Sequence, residues 1–175
     1  MNSARLDVGV QGVGVAERAY QHALAFAQER RQGRAPGVRS GDMVPIYEHA
    51  DVRRMIFSMK ALVEASRAIC YANAVAYDLA RHGKDEEQRT QAKALEGLLT
   101  PISKAWSTDR ANEVTSLGVQ IHGGMGYAEE TPVSRYFADA RVLSIFEGAE
   151  ETLALKVVAK ELITNANTPA GTPTE

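Results

Sequence analysis

Apolar positions recur at helical spacing along almost the whole chain. Over 3–31, Leu6, Val10, Val13, Tyr20, Leu24 and Ala27 alternate with Arg18, Gln21, Gln28 and Glu29, which predicts one long amphipathic helix. Gly9, Gly12 and Gly14 lie inside it. Glycine is a poor helix former, so the cluster predicts close packing by another backbone. The stretch 32–45 holds Gly33, Pro36, Gly37, Gly41 and Pro45 and reads as a loop, flanked and studded by Arg30, Arg31, Arg34 and Arg39. A second helix is predicted over 50–82, ending at Gly83. Its apolar face is Val52, Met55, Ile56, Met59, Leu62, Val63, Ile69 and Leu79, with Ala72 and Ala76 as small positions on it. Lys84 to Gln88 reads as a charged turn. A third helix over 89–119 turns Leu95, Leu98, Leu99, Ile102, Trp106, Val114 and Leu117 inward, and Pro101 should kink or interrupt it.

The last third is more compact. Gly123, Gly124 and Gly126, three glycines in four positions, follow an apolar helical pattern and read as a helix stop and a tight turn. Pro132 after Glu129 and Glu130 opens a short helix that Arg141 closes. Val142 to Phe146 is a short apolar segment that leads to Glu147 and Gly148. A final helix over 150–163 carries Leu153, Val157, Val158 and Leu162, and the polar tail 165–175, with Pro169 and Pro173, reads as disordered. No strand pattern or internal repeat is present. The predicted fold is all-α, an antiparallel up-and-down four-helix bundle over 1–164 followed by the tail.

Composition narrows the function classes. At 175 residues the chain fits one domain with a sizeable core, and 45% apolar content excludes disorder for most of it. A net charge of −2 argues against a nucleic-acid binder held by phosphate neutralisation. The single cysteine, Cys70, lies in an apolar helical pattern and reads as a buried, inert thiol in a reducing compartment. No apolar run approaches the roughly 20 residues that span a bilayer, and no signal peptide is visible at Met1. Together these predict a cytoplasmic protein.

Glu147, between Phe146 and Gly148, is placed as a general base would be, because a carboxylate in an apolar setting holds a proton more readily. It equally fits the start of the last helix, where a carboxylate complements the dipole. A di-metal bundle needs Glu-x-x-His pairs on facing helices, and the residues three before His22, His49, His82 and His122 are Ala19, Ile46, Leu79 and Val119. That class is excluded.

The run Gln120-Ile121-His122-Gly123-Gly124-Met125-Gly126-Tyr127, then Pro132, Asp139-Ala140-Arg141 and Ile145-Phe146-Glu147-Gly148, resembles the carboxy-terminal domain of the flavin-dependent acyl-CoA dehydrogenases. The Gln-to-Glu separation (147 − 120 = 27) matches the family pattern without a gap. The resemblance continues upstream through most of the chain. Leu98-Leu99-Thr100-Pro101-Ile102 with Lys104-Ala105-Trp106 is closest to the larger bacterial subgroup similar to methylthiopropionyl-CoA dehydrogenase.

The resemblance implies roles residue by residue. Glu147 matches the glutamate that removes the α-proton of an acyl-CoA thioester while the β-hydride passes to FAD, with Phe146 as apolar wall and Gly148 allowing close approach of the substrate. Gln120, Gly123 and Gly124 match the turn that touches the adenosine-diphosphate half of a neighbouring subunit's FAD. Arg30 and Gln32 match the stretch whose arginine pairs with the pyrophosphate, although Glu29-Arg30-Arg31-Gln32-Gly33 lacks the family's phenylalanine. Arg5 and Asn2 fall where the family lines the CoA side of the site. Each also has a bland reading: a helix cap for the glycines, a solvated basic helix end for Arg30, a solvated first turn for Asn2 and Arg5. His122 reads as a capping or packing residue.

Where the family has Glu-Gly-Thr-x-Gln, this chain has Glu147-Gly148-Ala149-Glu150-Glu151, so a hydroxyl and an amide that help hold FAD are missing. Family enzymes also carry a helical and a β-sheet domain ahead of this bundle. The chain is therefore expected to be one domain of an acyl-CoA dehydrogenase, inactive and poor in FAD on its own. Its expected partners are the acyl-CoA substrate, an electron-transfer flavoprotein as acceptor, and copies of itself in a dimer or tetramer. The competing expectation is a non-catalytic scaffold bundle that kept the family's oligomer-forming core, which Ala149 and Glu151 favour.

Overall fold

A computed structural model describes residues 2–35 and 37–157. They form α1 (Asn2–Glu29), α2 (Ala50–His82), α3 (Glu86–His122), α4 (Gly124–Tyr127), α5 (Pro132–Leu143) and α6 (Glu150–Lys156), with a 3-10 turn at Ile46–Glu48 before α2. Among the described residues there is no strand, only an isolated bridge between Arg31 and Pro45. The fold is an all-α bundle, as the periodicity predicts.

Side-chain pairings give the direction of each helix. Cys70 meets Ser107, Asn73 meets Ser103 and Arg81 meets Glu96, so α2 and α3 run antiparallel. Gly9 faces Cys70 and Glu17 pairs with Arg67, which sets α1 antiparallel to α2. Gly9 lies beside Ser103 and Gly12 beside Ser107, so α1 and α3 are parallel. α5 returns along α3, from the neighbourhood of Val119 to Lys104, and contributes Ala140 to the core. The order is up, down, up, down. The fourth position in the bundle is thus filled by α5, while α6 packs on α3. Val158, Leu162 and the tail 165–175 lie outside the described residues.

The boundaries differ from expectation at α3. Lys84 to Gln88 is not a free turn but the capped start of the helix. Asp85 accepts from the Gln88 N–H at 2.8 Å, and the Gln88 side chain accepts from the Lys84 N–H at 2.8 Å. This reciprocal cap, with Glu86 and Glu87 in the first turn, starts α3 earlier than apolar spacing alone indicates. The helix also runs on through Pro101, which is fully buried. The missing N–H costs one bond, but packing by α1, α2, α5 and α6 keeps α3 continuous.

The core is made of small residues more than the apolar pattern implies. α1 buries Val8, Val13, Ala16, Ala19, Ala23 and Ala27, whereas Val10 is 50% exposed. The close approach expected of the glycines holds at Gly9 and Gly12 but not at Gly14, beside which nothing lies within 4 Å. Leu79, Leu95 and Trp106, expected inside, are 38–46% exposed, and Ala72 is exposed too. The inward face of α3 is instead Ala92, Glu96, Thr100, Ser103, Lys104, Ser107, Thr108, Ala111, Val114 and Thr115. Helices approaching this closely leave room for hydroxyls rather than large side chains. Thr108 and Thr115 satisfy themselves on the carbonyls of Lys104 and Ala111, both at 2.8 Å. Cys70 is buried among them, and burial pushes its thiol up despite the Ser107 hydroxyl at 3.4 Å. It is the inert thiol its pattern predicts.

Candidate active site

The glycine turn ends α3. Gly123 takes φ +60°, in the left-handed region that glycine tolerates, and breaks the helix there. The chain then folds back as α4: a Cβ on Gly126 would sit 2.7 Å from the Val119 carbonyl oxygen, so no larger residue fits. Gly123 and Gly124 face open space. His122 donates from Nδ1 to the Gly118 carbonyl at 2.8 Å and stacks on Phe26 with ring centres 4.4 Å apart. It caps and packs, as expected.

An open groove of about 730 Å³ runs past this turn. Arg30, Gln32, Gln120, Gly123 and Gly124 all line it, so the structure brings these five predicted residues together. The loop supplies Arg30 and Gln32. Gln32 donates its N–H to Val44 and accepts from His49 Nε2 at 2.7 Å, which fixes its backbone beside the groove. Two of the loop arginines are committed elsewhere: Arg31 donates to the Met43 carbonyl and Arg34 to that of Gly41. His49 also lines the groove; its only sequence signal is its place just before α2. A second cavity of about 790 Å³, lined by Ser116, Gln120, Tyr127, Glu129, Arg135 and Phe137, opens on the other side of Gln120 and was not foreseen. Backbone amides at a glycine turn, a guanidinium and two carboxamides form a donor set suited to a phosphate-bearing ligand.

Glu147 lies elsewhere. It follows α5 in a short turn and takes φ +58°, the one non-glycine in the left-handed region among the described residues. Gly148 follows at φ +108°. Bonds from cationic side chains hold the carbonyls of the turn: Arg5 Nε donates to the Glu147 carbonyl at 3.1 Å, and Lys104 Nζ donates to the carbonyls of Ser144 at 3.0 Å and Gly148 at 2.8 Å, while Arg141 donates to the Ser144 hydroxyl. The apolar enclosure expected from the sequence is absent among the described residues. Phe146 is 40% exposed and Ile145 56%, because the segment lies at the end of the bundle and no described residue covers it; Glu147 is exposed as well. Arg5, predicted on the substrate side, spends its Nε on the backbone of Glu147. The Asn2 side chain lies outside the described part of the structure.

The two clusters are at opposite ends of α1. Arg5 and Arg30 are 25 residues apart, roughly 37 Å along a helix rising 1.5 Å per residue.

Sequence and fold comparisons identify the family of the bundle. A family profile described as "Acyl-CoA dehydrogenase, C-terminal domain" matches residues 1–163. The chain is 49% identical over 163 residues to the 3-methylmercaptopropionyl-CoA dehydrogenase of Ruegeria pomeroyi, covering 93% of this chain and 28% of that protein. Its fold matches the butyryl-CoA dehydrogenase of Megasphaera elsdenii with a TM-score of 0.71 at 28% identity, over 90% of this chain and 36% of the other. It also matches a chain from a structure titled for the electron transferring flavoprotein of Acidaminococcus fermentans, with a TM-score of 0.75 at 26% identity, over 93% and 37%. The chain therefore spans about a third or less of the length of these relatives. Profile, identity and fold converge, and the chain belongs to the acyl-CoA dehydrogenase family as its C-terminal helical domain.

Proposed function

We propose that this domain serves an FAD-dependent acyl-CoA dehydrogenase that oxidises an acyl-CoA thioester to the trans-2-enoyl-CoA, with Glu147 as the base. One observation carries the reading: Glu147 is held in a left-handed backbone by side chains from α1 and α3. A non-glycine residue keeps such a conformation only where its surroundings impose it, at a cost of about 1–3 kcal/mol, and such positions cluster at functional sites. Glu147 is exposed in the described bundle, where partner domains and substrate would enclose and desolvate its carboxylate. Enclosed there, it takes the α-proton on a carboxylate oxygen, and Gly148 leaves room for the thioester to approach.

Bound FAD would accept the β-hydride. Arg30, Gln32, Gln120 and the amides of Gly123 and Gly124 fit its adenosine-diphosphate half, the guanidinium matching the pyrophosphate in charge and geometry. The separation of these residues from Glu147 supports the expectation that they serve the flavin of a second subunit. Self-association is supported by the apolar stripe Phe57, Tyr71 and Val75 along α2, each about 60% exposed. The electron acceptor we propose is an electron-transfer flavoprotein.

The test is Glu147→Gln in the complete dehydrogenase. Loss of general-base catalysis predicts a fall in turnover of about 10²–10⁴-fold with FAD content unchanged. Turnover at the wild-type level would remove Glu147 from the chemistry. The scaffold reading is favoured by Ala149, which caps α6 without a side-chain bond where the family's threonine hydroxyl would stand. An immunoblot of the source cell separates the two: a protein several times longer than this chain supports the enzyme, and one of the same length supports the scaffold.

A further inference from the structure

Lys104 is the largest side chain in the described part of the bundle with no solvent exposure. Lysine is almost never fully buried, because removing its charged end from water is costly and an apolar side chain of the same length packs as well. Nothing about α3 requires a lysine there, since its neighbours Ser103, Ser107 and Thr108 satisfy themselves on nearby groups. The carbonyls that Nζ reaches supply a reason. Ser144 is the C-cap of α5, at the negative end of that helix, where carbonyls lack intrahelical partners. Gly148 lies four residues on, beyond the left-handed Glu147. One donor group therefore bridges the two ends of the turn that carries the carboxylate.

We propose that Lys104 is the positioning residue of the Glu147 turn: its buried Nζ fixes the Ser144 and Gly148 carbonyls and so sets the direction in which the carboxylate points. The clamp is well anchored. α3 is packed on by α1, α2, α5 and α6, and Thr108 Oγ1 binds the Lys104 carbonyl at 2.8 Å. Arg5 on the Glu147 carbonyl is a weaker third tie, because its side chain lies near the surface. Lys104 does not touch substrate. It acts through Glu147, and in this respect the inference rests on the reading of Glu147 as the base.

The experiment uses the 175-residue chain first. Lys104→Met keeps the length of the side chain and removes its donors. The expected result is amide hydrogen exchange at least tenfold faster over 145–149, with the ¹³Cα and ¹³Cβ shifts of Glu147 leaving left-handed values, while Met59 and Val63 in the core of α2 exchange as before. Unchanged shifts and exchange at the turn, or a uniform rise everywhere, would overturn the proposal. Should Lys104→Met not fold, through-hydrogen-bond couplings from ¹⁵Nζ of Lys104 to the carbonyl carbons of Ser144 and Gly148 decide it in the unaltered chain, and their absence overturns it. In the complete dehydrogenase, Lys104→Met is expected to lower kcat at least tenfold with KM and FAD content unchanged. Lys104→Cys, aminoethylated to restore the amine, should recover it. A loosened turn together with normal turnover in Glu147→Gln would sink the base and leave the clamp standing. Lost turnover in Glu147→Gln with an unaltered turn in Lys104→Met would do the reverse.

Discussion

A Cβ on Gly9 would lie 2.8 Å from the carbonyl oxygen of Ser103 and 3.4 Å from Cys70 Sγ. α1 and α3 thus meet backbone to backbone at the end of the bundle that carries Arg5 and Lys104. The Ser103 carbonyl belongs to a helix and cannot swing aside. Real Cβ atoms do not approach a carbonyl oxygen so closely, so a substitution at Gly9 must push the two helices apart.

Gly9→Ala is expected to lower stability by about 1–3 kcal/mol, as overpacking does, despite the better helix propensity of alanine. Gly14→Ala, in the same helix but beside empty space, should raise it by about 0.5–1 kcal/mol. Urea denaturation of both variants checks the pair. Equal changes of the same sign would mean that propensity rather than helix contact dominates α1.

Glu17 and Arg67 join α1 to α2 at 2.6 Å. Partial burial alone would raise the Glu17 carboxyl, but bonds from Arg67 and Gln21 and the charges of Arg67 and Lys60 outweigh it and hold the group below its usual 4.5. The unfolded chain therefore binds the proton first on acidification. The stability contributed by Glu17 is complete above pH 4.5 and is lost as pH falls through the lower folded value. Glu17→Gln should flatten the acid limb of a stability-versus-pH curve, and an unaltered limb would show that the pair contributes nothing in solution.

His22 titrates with the same sign for a different reason. Burial first, then the positive charges of Arg18 and His122, hold its imidazole below the ordinary 6.5, while the ring lies edge-on to Tyr136 at 5.5 Å. Folding favours the neutral ring, so its contribution is complete above pH 6.5 and declines as pH falls below that. An NMR titration should give a pKa under 6.5 that rises in Arg18→Gln. No rise would leave burial and His122 as the cause of the shift.

Ala149 is the N-cap of α6 and offers no side-chain acceptor to the first turn. Ala149→Ser should stabilise the domain by about 1 kcal/mol, the usual worth of an N-cap hydroxyl. Thermal unfolding measures it. A null result would mean that the first-turn amides of α6 already bind water equally well.

The sequence by itself determined the helices, most of their ends, and the family. Periodic apolar residues, Gly83, the Gly123 stop and Pro132 act through local backbone preferences, which a linear pattern records directly. The same pattern misread what depends on neighbours. Leu95, Trp106 and Leu79 have core chemistry but lie outside, while Glu96, Thr100, Ser103 and Lys104 lie inside. Nothing local distinguishes them, because which face of α2 or α3 is inward follows from where the neighbouring helices arrive. Gly9 and Gly14 look alike in the chain and differ only in what passes beside them. The candidate site divides in the same way. Glu147, Gln120 and the glycines were legible as a motif, a fixed spacing in one run of chain. Tertiary structure alone brought Arg30 to Gly123 and set Arg5 and Lys104 on the carbonyls around Glu147, across sequence separations that no local pattern encodes. It also left Glu147 exposed among the described residues, because Phe146 beside it packs only in part and is 40% exposed.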